Sequence, residues 1–334
     1  MLAKKYTVHL ISQKTPSYSA YYKTHTLWND QRQLEAAIKL YAPQVDVFHC
    51  HNEPSWFVTM VKELCDVPVV LDVHDSFLAR QSPEQEQAAL DQGKKFIRVT
   101  TEERNNCQLA DALVFPGQRF ADLVRSEFGL TQPSIVLPSY VPRMWMKYDH
   151  KEWLGGLVYE GKVDLREDIA NNPITAGFAY ADYQAVAEQA KALGIDFHLY
   201  VVRTDQKFKS VYGDLAFVHP PKDIDVLLTQ LSRHDWGLVG NLRQTLEWDV
   251  AMPNKLFEYI AAGVPVVSMY ASESGEFIER HGLGIQVKSM EELRDRWREH
   301  EGIRKHLLKT RLAWCMERHI HTLEALYAGL CDPA

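Results

Sequence analysis

No stretch of this chain approaches the ~20 consecutive apolar residues that a membrane-crossing helix requires. The opening residues, MLAKKYTVHLISQKT, lack the apolar core and small-residue cleavage site of a secretory leader, so a cytoplasmic location is expected. Cysteine is sparse: Cys50, Cys65, Cys107, Cys315 and Cys331 are odd in number, widely spaced and form no C-x-x-C pair. That pattern excludes a disulfide framework and a zinc ribbon and reads as reduced thiols. A basic excess is missing too, with 37 Lys and Arg against 44 Asp and Glu, which argues against a dedicated nucleic-acid binder. Internal repeats and low-complexity tracts are absent. What remains, 46% hydrophobic and 24% charged residues, is the composition of a folded globular protein, and 334 residues suffice for two domains. One local exception is residues 1–29, where Lys4, Lys5, Lys14 and Lys23 occur without an acidic residue among Tyr6, Tyr18, Tyr21, Tyr22 and Trp28. The segment reads either as a first strand with a solvated loop or as a surface for an anionic or sugar-bearing acceptor.

Apolar runs rich in Val, Ile and Leu alternate with helical stretches, the pattern of strands buried on both faces of a parallel sheet. In the first half, strands are expected near Tyr6–Ile11, Val45–Cys50, Val67–Val73, Ala112–Phe115 and Ser134–Leu137, with helices at Gln31–Tyr41 and Trp56–Leu64. A proline-rich passage, Pro133 to Pro142, leads into an irregular segment before the rhythm restarts at Gly155. The second half predicts strands near Leu157–Glu160, Ile174–Phe178, Phe197–Val202, Ala216–His219, Trp236–Val239 and Val264–Met269. Its helices are placed at Tyr183–Leu193, Ile224–Ser232, Glu291–Arg298 and Arg311–Leu330. The expected class is α/β, with two doubly wound Rossmann-like domains, 1–147 and 148–310, and a terminal helical segment, 311–334.

The most informative segment is PNKLFEYIAAGVPVV, residues 253–267. Pro253 suits a first helical position, Leu256/Ile260 and Phe257/Ala261 are i,i+4 apolar pairs, Gly263 can end the helix in a left-handed conformation, and Val264 opens a buried strand. The unpaired N–H groups and positive dipole end of such a helix form a seat for a diphosphate. Asn254 and Glu258 share a face, which would set a carboxylate against the hydroxyls of a ribose whose phosphates rest at the helix start. A surface glutamate on an ordinary amphipathic helix is the plainer alternative.

This segment resembles the donor-binding element of GT-B glycosyltransferases, in particular the retaining group 1, or family four, enzymes with their P-x-K-x-x-E-Y-x-A-x-G-x-P-V-V pattern. VDVFHCHNEPSW (45–56), VPVVLDVHDSF (67–77), LVYEGKVD (157–164) and HDWGLVGN (234–241) are similar to the family's successive strand ends. The resemblance implies two domains facing a cleft, with Glu258 on the donor ribose and Asn254 and Lys255 at the pyrophosphate; Asn241, Arg243 and Arg203 are further donor-side candidates. It implies catalytic roles for His74 and Asp75 and, for Lys162, stabilisation of the departing diphosphate. His49, His51, Asn52 and Tyr18 are acceptor-side candidates. His49, His51, His74 and Asp75 all fall at carboxyl ends of expected strands, where open parallel sheets bind ligands. The final helix is expected to cross back to the first domain.

The implied activity is transfer of a sugar from a nucleoside diphosphate, UDP favoured, to an acceptor hydroxyl with retention, in glycan or cell-surface polysaccharide synthesis. No cofactor and no metal is expected. The acceptor is a glycan, a lipid-linked glycan or a small molecule, and a lipid carrier would dock peripherally through residues 1–29 or Met144-Trp145-Met146. Two departures stand against the family pattern. Many retaining members carry a second Glu eight positions before the ribose Glu, where this chain has Val250 with Glu247 and Asp249 nearby, and the Ser12–Ala20 loop lacks the usual glycine-rich turn. A catalytically silent nucleotide-binding subunit, a nucleotide-sugar 2-epimerase-like enzyme and a metal hydrolase built on the H-x-H are the competing readings.

Overall fold

A computed structural model describes residues 2–16, 19–51, 56–80, 91, 100–146, 148, 152–170 and 181–331. The expected strand at Ile174–Phe178 and the candidates Tyr18 and Asn52 lie outside the described residues.

In the first half, β3 (Phe48–His51), β4 (Val69–Asp72), β5 (Ala112–Phe115) and β6 (Ser134–Val136) form a parallel sheet in that order, beside a parallel pair of β1 (His9–Ser12) and β2 (Thr24–Leu27). β4 and β5 are buried almost throughout because helices cover both faces. β2 takes part of the segment expected as loop. Its Thr24 and Thr26 hydroxyls each lie 2.8 Å from the Tyr41 hydroxyl, which fastens this polar strand to the Gln31–Tyr41 helix. An alternation of Thr and His offers no apolar face, so hydropathy does not reveal it.

The second half holds a parallel sheet of order β12-β11-β10-β7-β8-β9. Its strands are β7 (Leu157–Glu160), β8 (Phe197–Tyr200), β9 (Phe217–His219), β10 (Trp236–Gly240), β11 (Val266–Met269) and β12 (Gly284–Val287). The chain starts at β7, winds outward to β9, then returns beside β7 and winds the other way, so the switch point of this doubly wound sheet lies between β7 and β10. There the two strands pair only at Trp236–Leu157 and Gly237–Val158. Tyr259, from the following helix, supplies the rest: its hydroxyl accepts from the Glu160 N–H at 3.1 Å and donates to the Val158 carbonyl at 3.4 Å. Gly237 makes room for it, since a Cβ there would lie 2.5 Å from the Tyr259 ring. The switch point is thus held open at its carboxyl end by a side chain of the Asn254–Ala262 helix.

The last helical stretch departs from one continuous helix. A 3-10 turn, Arg311–Trp314, is followed by extended Cys315 and a new helix, Met316–Cys331. Buried Cys315 and the Met316 N–H, which donates to the Val141 carbonyl at 3.2 Å, fix the break. Beyond it Leu323 and Leu326 pack on Val70, Ala112 and Val114 of the first sheet, and Glu324 meets Lys5 at 2.7 Å. The two halves also meet through carboxyl-end loops: Val250 is buried in the core of the first half, Arg80 bridges Asp75 at 2.5 Å and Glu247 at 2.9 Å, and Arg119 pairs with Glu276. The Glu273 carboxylate accepts from the Gln118 and Arg119 N–H groups at 2.5 and 3.2 Å, at the start of the Gln118–Phe128 helix. The carboxyl edges of the two main sheets therefore face one another.

Candidate active site

The first cluster sits at the open switch point. Pro253 occupies the N-cap of the Asn254–Ala262 helix, one position earlier than its sequence suggests, and it offers no side-chain cap. A proline side chain has no acceptor to turn back on the first N–H groups; the Pro253 carbonyl takes the Leu256 N–H at 3.0 Å, and the earlier donors are left at the helix start with Asn254, which is exposed. Gly263 terminates the helix with φ 74° and ψ 27°, and Leu256, Phe257, Ile260 and Ala261 are buried. That apolar anchorage fixes where Lys255 and Glu258 emerge.

Glu258 meets Glu160, the last residue of β7, in a hydrogen bond between carboxyl groups. Burial first, then the neighbouring Glu160 charge, raises Glu258 from 4.5 to about 9. Glu258 therefore keeps its proton at neutral pH. Lys255 lies above the Tyr159 ring at 5.1 Å and the Trp248 ring at 5.7 Å. Burial opposes its charge, but Tyr159, Glu160 and Glu258 outweigh burial and hold it above the ordinary lysine value. Gly161, at φ 127°, lets the chain turn after β7; a Cβ there would lie 3.4 Å from the Lys255 side chain.

Replacing Glu160 by Gln tests this pairing. A carboxyl raised on folding binds more protons in the native state, so its contribution is complete below about 4.5 and is lost as pH climbs toward about 9. Wild type should lose stability across that window by up to ~1.4 kcal/mol per pH unit, and Glu160→Gln should flatten the slope. Urea titrations at several pH values measure it.

The other donor-side candidates are placed as follows. Lys162 is half exposed and 3.1 Å from Asp164. Asn241 is fully buried at the end of β10 and its Oδ1 accepts from the Arg243 N–H at 2.7 Å, leaving the Arg243 side chain exposed. Arg203 is paired with Asp168 at 2.6 Å and Asp205 at 2.7 Å.

The second cluster lies at the carboxyl ends of β3 and β4. His74 Nε2 is 3.2 Å from Asp72 Oδ1 and His51 Nδ1 is 3.4 Å from Asp72 Oδ2. Burial resists the charge on Asp72, but hydrogen bonds from His51 and His74 hold its carboxyl well below the usual range. The same hydrogen bond raises His74, against burial. His49 is stacked on His51 and 2.5 Å from the Tyr327 hydroxyl; burial, helped by His51, lowers it to about 4. Asp75 is tied to Arg80.

Sequence reasoning missed several of these groups. Glu160 and Asp72 each stand inside a quoted motif, but only the assembled fold reveals what they face, Glu258 for Glu160 and the His51 and His74 rings for Asp72. Tyr327 is distant in the chain and comes to His49 through the final helix. Glu247 carries a buried oxygen without a partner among the described residues, and burial pushes it to about 7 against the pull of Arg80. Tyr270, at the end of β11, has φ 54°, a strained conformation for a side chain at the edge of a ligand-facing sheet.

Residues 2–142 match the family model described as Glycosyltransferase Family 4, and residues 180–310 match the glucosyltransferase 3-like, C-terminal domain. No curated protein sequence matches the chain. Among solved structures, sucrose-phosphate synthase from Thermosynechococcus elongatus superposes with a TM-score of 0.69 at 13% identity, over 99% of this chain and 91% of that one. Anabaena HepE in complex with UDP-glucose gives 0.66 at 10% identity, over 98% and 100%. A glycosyltransferase from Rickettsia africae gives 0.63 at 11%, over 98% and 91%. At such identities the superpositions establish the two-domain GT-B fold. On that fold the chain carries a Glycosyltransferase Family 4 domain over residues 2–142 and a glucosyltransferase 3-like, C-terminal domain over residues 180–310, and it is a glycosyltransferase by these domains.

Proposed function

We propose that this chain transfers a glycosyl group from a UDP-sugar to an acceptor hydroxyl in the cleft between residues 1–147 and 148–310. The observation that carries the reading is the joining of an uncapped helix start at Asn254 to a carboxyl pair, Glu258 and Glu160, at an open switch point. The helix donors and Lys162 would take the diphosphate, and Glu258 the ribose diol. As UDP leaves, the same donors meet the developing charge, where loss of one well-aimed donor costs ~3 kcal/mol of transition-state stabilisation. His74, held by Asp72, would address the sugar or the acceptor from the opposite domain. UDP is preferred as the nucleotide because the Anabaena neighbour is described with UDP-glucose. Retention, and a place in glycan or cell-surface polysaccharide synthesis, follow from likeness to family four, and no metal is needed for this chemistry.

Val250 favours a second reading. It is 6% exposed within the core of the first half, where the family's additional Glu would contact the sugar. A chain that binds nucleotide without turning it over would tolerate that. The two readings separate when the protein is incubated with a panel of UDP-sugars and release of UDP is followed. The transferase reading predicts UDP formation from one donor, faster with an accepted glycan and lost in Lys162→Ala. Tight donor binding with no release, across a broad acceptor panel, would select the silent subunit.

A further inference from the structure

His49 and His51 are two positions apart on β3, so both imidazoles leave the same side of the strand. Their rings stack at 4.7 Å and 9°. β4 runs alongside with Asp72 opposite His51, which brings Asp72 Oδ2 to 3.4 Å from His51 Nδ1 and 3.8 Å from His49 Nε2. The three atoms lie within 4.8 Å of one another. A tetrahedral ion bound at ~2.0–2.1 Å needs ligand spacings of ~3.3 Å, so binding would draw the three atoms closer together.

Two further contacts prepare these groups. His49 Nε2 is buried and has no hydrogen-bond partner among the described residues, while its Nδ1 is 2.5 Å from the Tyr327 hydroxyl. With Nδ1–H donating to the Tyr327 oxygen, the Nε2 lone pair is directed at Asp72. Metal-bound histidines are commonly oriented in this way, by an acceptor on the far nitrogen. His74 holds the other Asp72 oxygen at 3.2 Å and so orients the carboxylate.

We propose that His49 Nε2, His51 Nδ1 and the Asp72 carboxylate bind a divalent cation of the zinc class, with a fourth position open on the side of His51, whose side chain is 72% exposed. H-x-H spacing alone supplies two ligands and fixes no set; the third comes from the neighbouring strand. The ion would couple to the seating of the final helix through Tyr327. The site is on the opposite domain from the donor helix, so metal uptake and nucleotide binding succeed or fail independently.

The test is titration of chelator-treated full-length protein with Co2+, followed by visible d–d absorption, then displacement by Zn2+. The expected result is saturation at one equivalent, with His51→Ala abolishing the signal. Tyr327→Phe, which removes only the hydroxyl, should weaken binding by ~10–100-fold. Circular dichroism establishes that both variants are folded. Absence of a saturable equivalent would overturn the proposal, as would a stoichiometric signal unchanged in both variants, which would place the metal on other histidines.

Discussion

Glu258→Ala should lose roughly tenfold or more in affinity for UDP, measured by isothermal titration calorimetry. The proposed contact is two hydrogen bonds between a ribose diol and a carboxyl that keeps its proton at neutral pH, each worth ~0.5–1.5 kcal/mol. Losing both corresponds to roughly one to two decades at ~1.4 kcal/mol per tenfold. A folding defect would not mimic this result. Glu258 is held by burial and by Glu160 in a state that opposes its ionisation, so removing it relieves the native state at alkaline pH. The ligand-free variant should therefore lose less stability than wild type as pH rises toward about 9. A variant that binds UDP like wild type would remove the ribose role from Glu258.

His74→Ala should lower kcat by ~10²–10⁴, the usual contribution of a positioned acid or base, with UDP affinity within a fewfold of wild type. The pH profile separates chemistry from positioning. Asp72 raises His74 above 6.5 through a hydrogen bond to the charged imidazole, so activity that needs the protonated ring declines as pH rises through that raised value. Asp72→Asn removes the cause and should move the decline to lower pH. The same linkage acts on stability: the His74–Asp72 contribution is complete below 6.5 and is lost as pH passes the raised value. Full turnover in His74→Ala would assign the cluster to structure alone.

The parts of the fold legible in the sequence are those written in apolar runs. β5 and β7 fall at the residues expected, and the Gln31–Tyr41 helix does too, with Asp30 accepting from the Gln33 N–H as its cap. β12, Gly284–Val287, passes unnoticed because four residues with a polar Gln286 carry little signal. The break at Cys315 depends on a carbonyl of Val141, 175 positions away from Met316 in a chain where local periodicity is helical on both sides. The site divides in the same way. Glu258, Lys255 and His74 stand in local motifs, and the motif names them. Their partners, Glu160, Tyr259 and Asp72, act through strand pairing and through a split between β7 and β10, which only the assembled sheet displays. Val250 illustrates the limit: a position suggesting donor-sugar contact is instead packed into the core of the other half.

The central claim is that the Asn254–Ala262 helix and Glu258 form the seat of a nucleoside-diphosphate sugar. Its most direct test is thermal unfolding of the wild-type chain with saturating UDP, GDP and ADP in turn. At 100 times its dissociation constant a ligand adds ~2.7 kcal/mol to stability, which raises the midpoint by ~5–10 °C or less in a chain of this size. The account predicts such a shift with UDP and a smaller one with the purine nucleotides. A folded protein whose midpoint does not move with any of the three would contradict it.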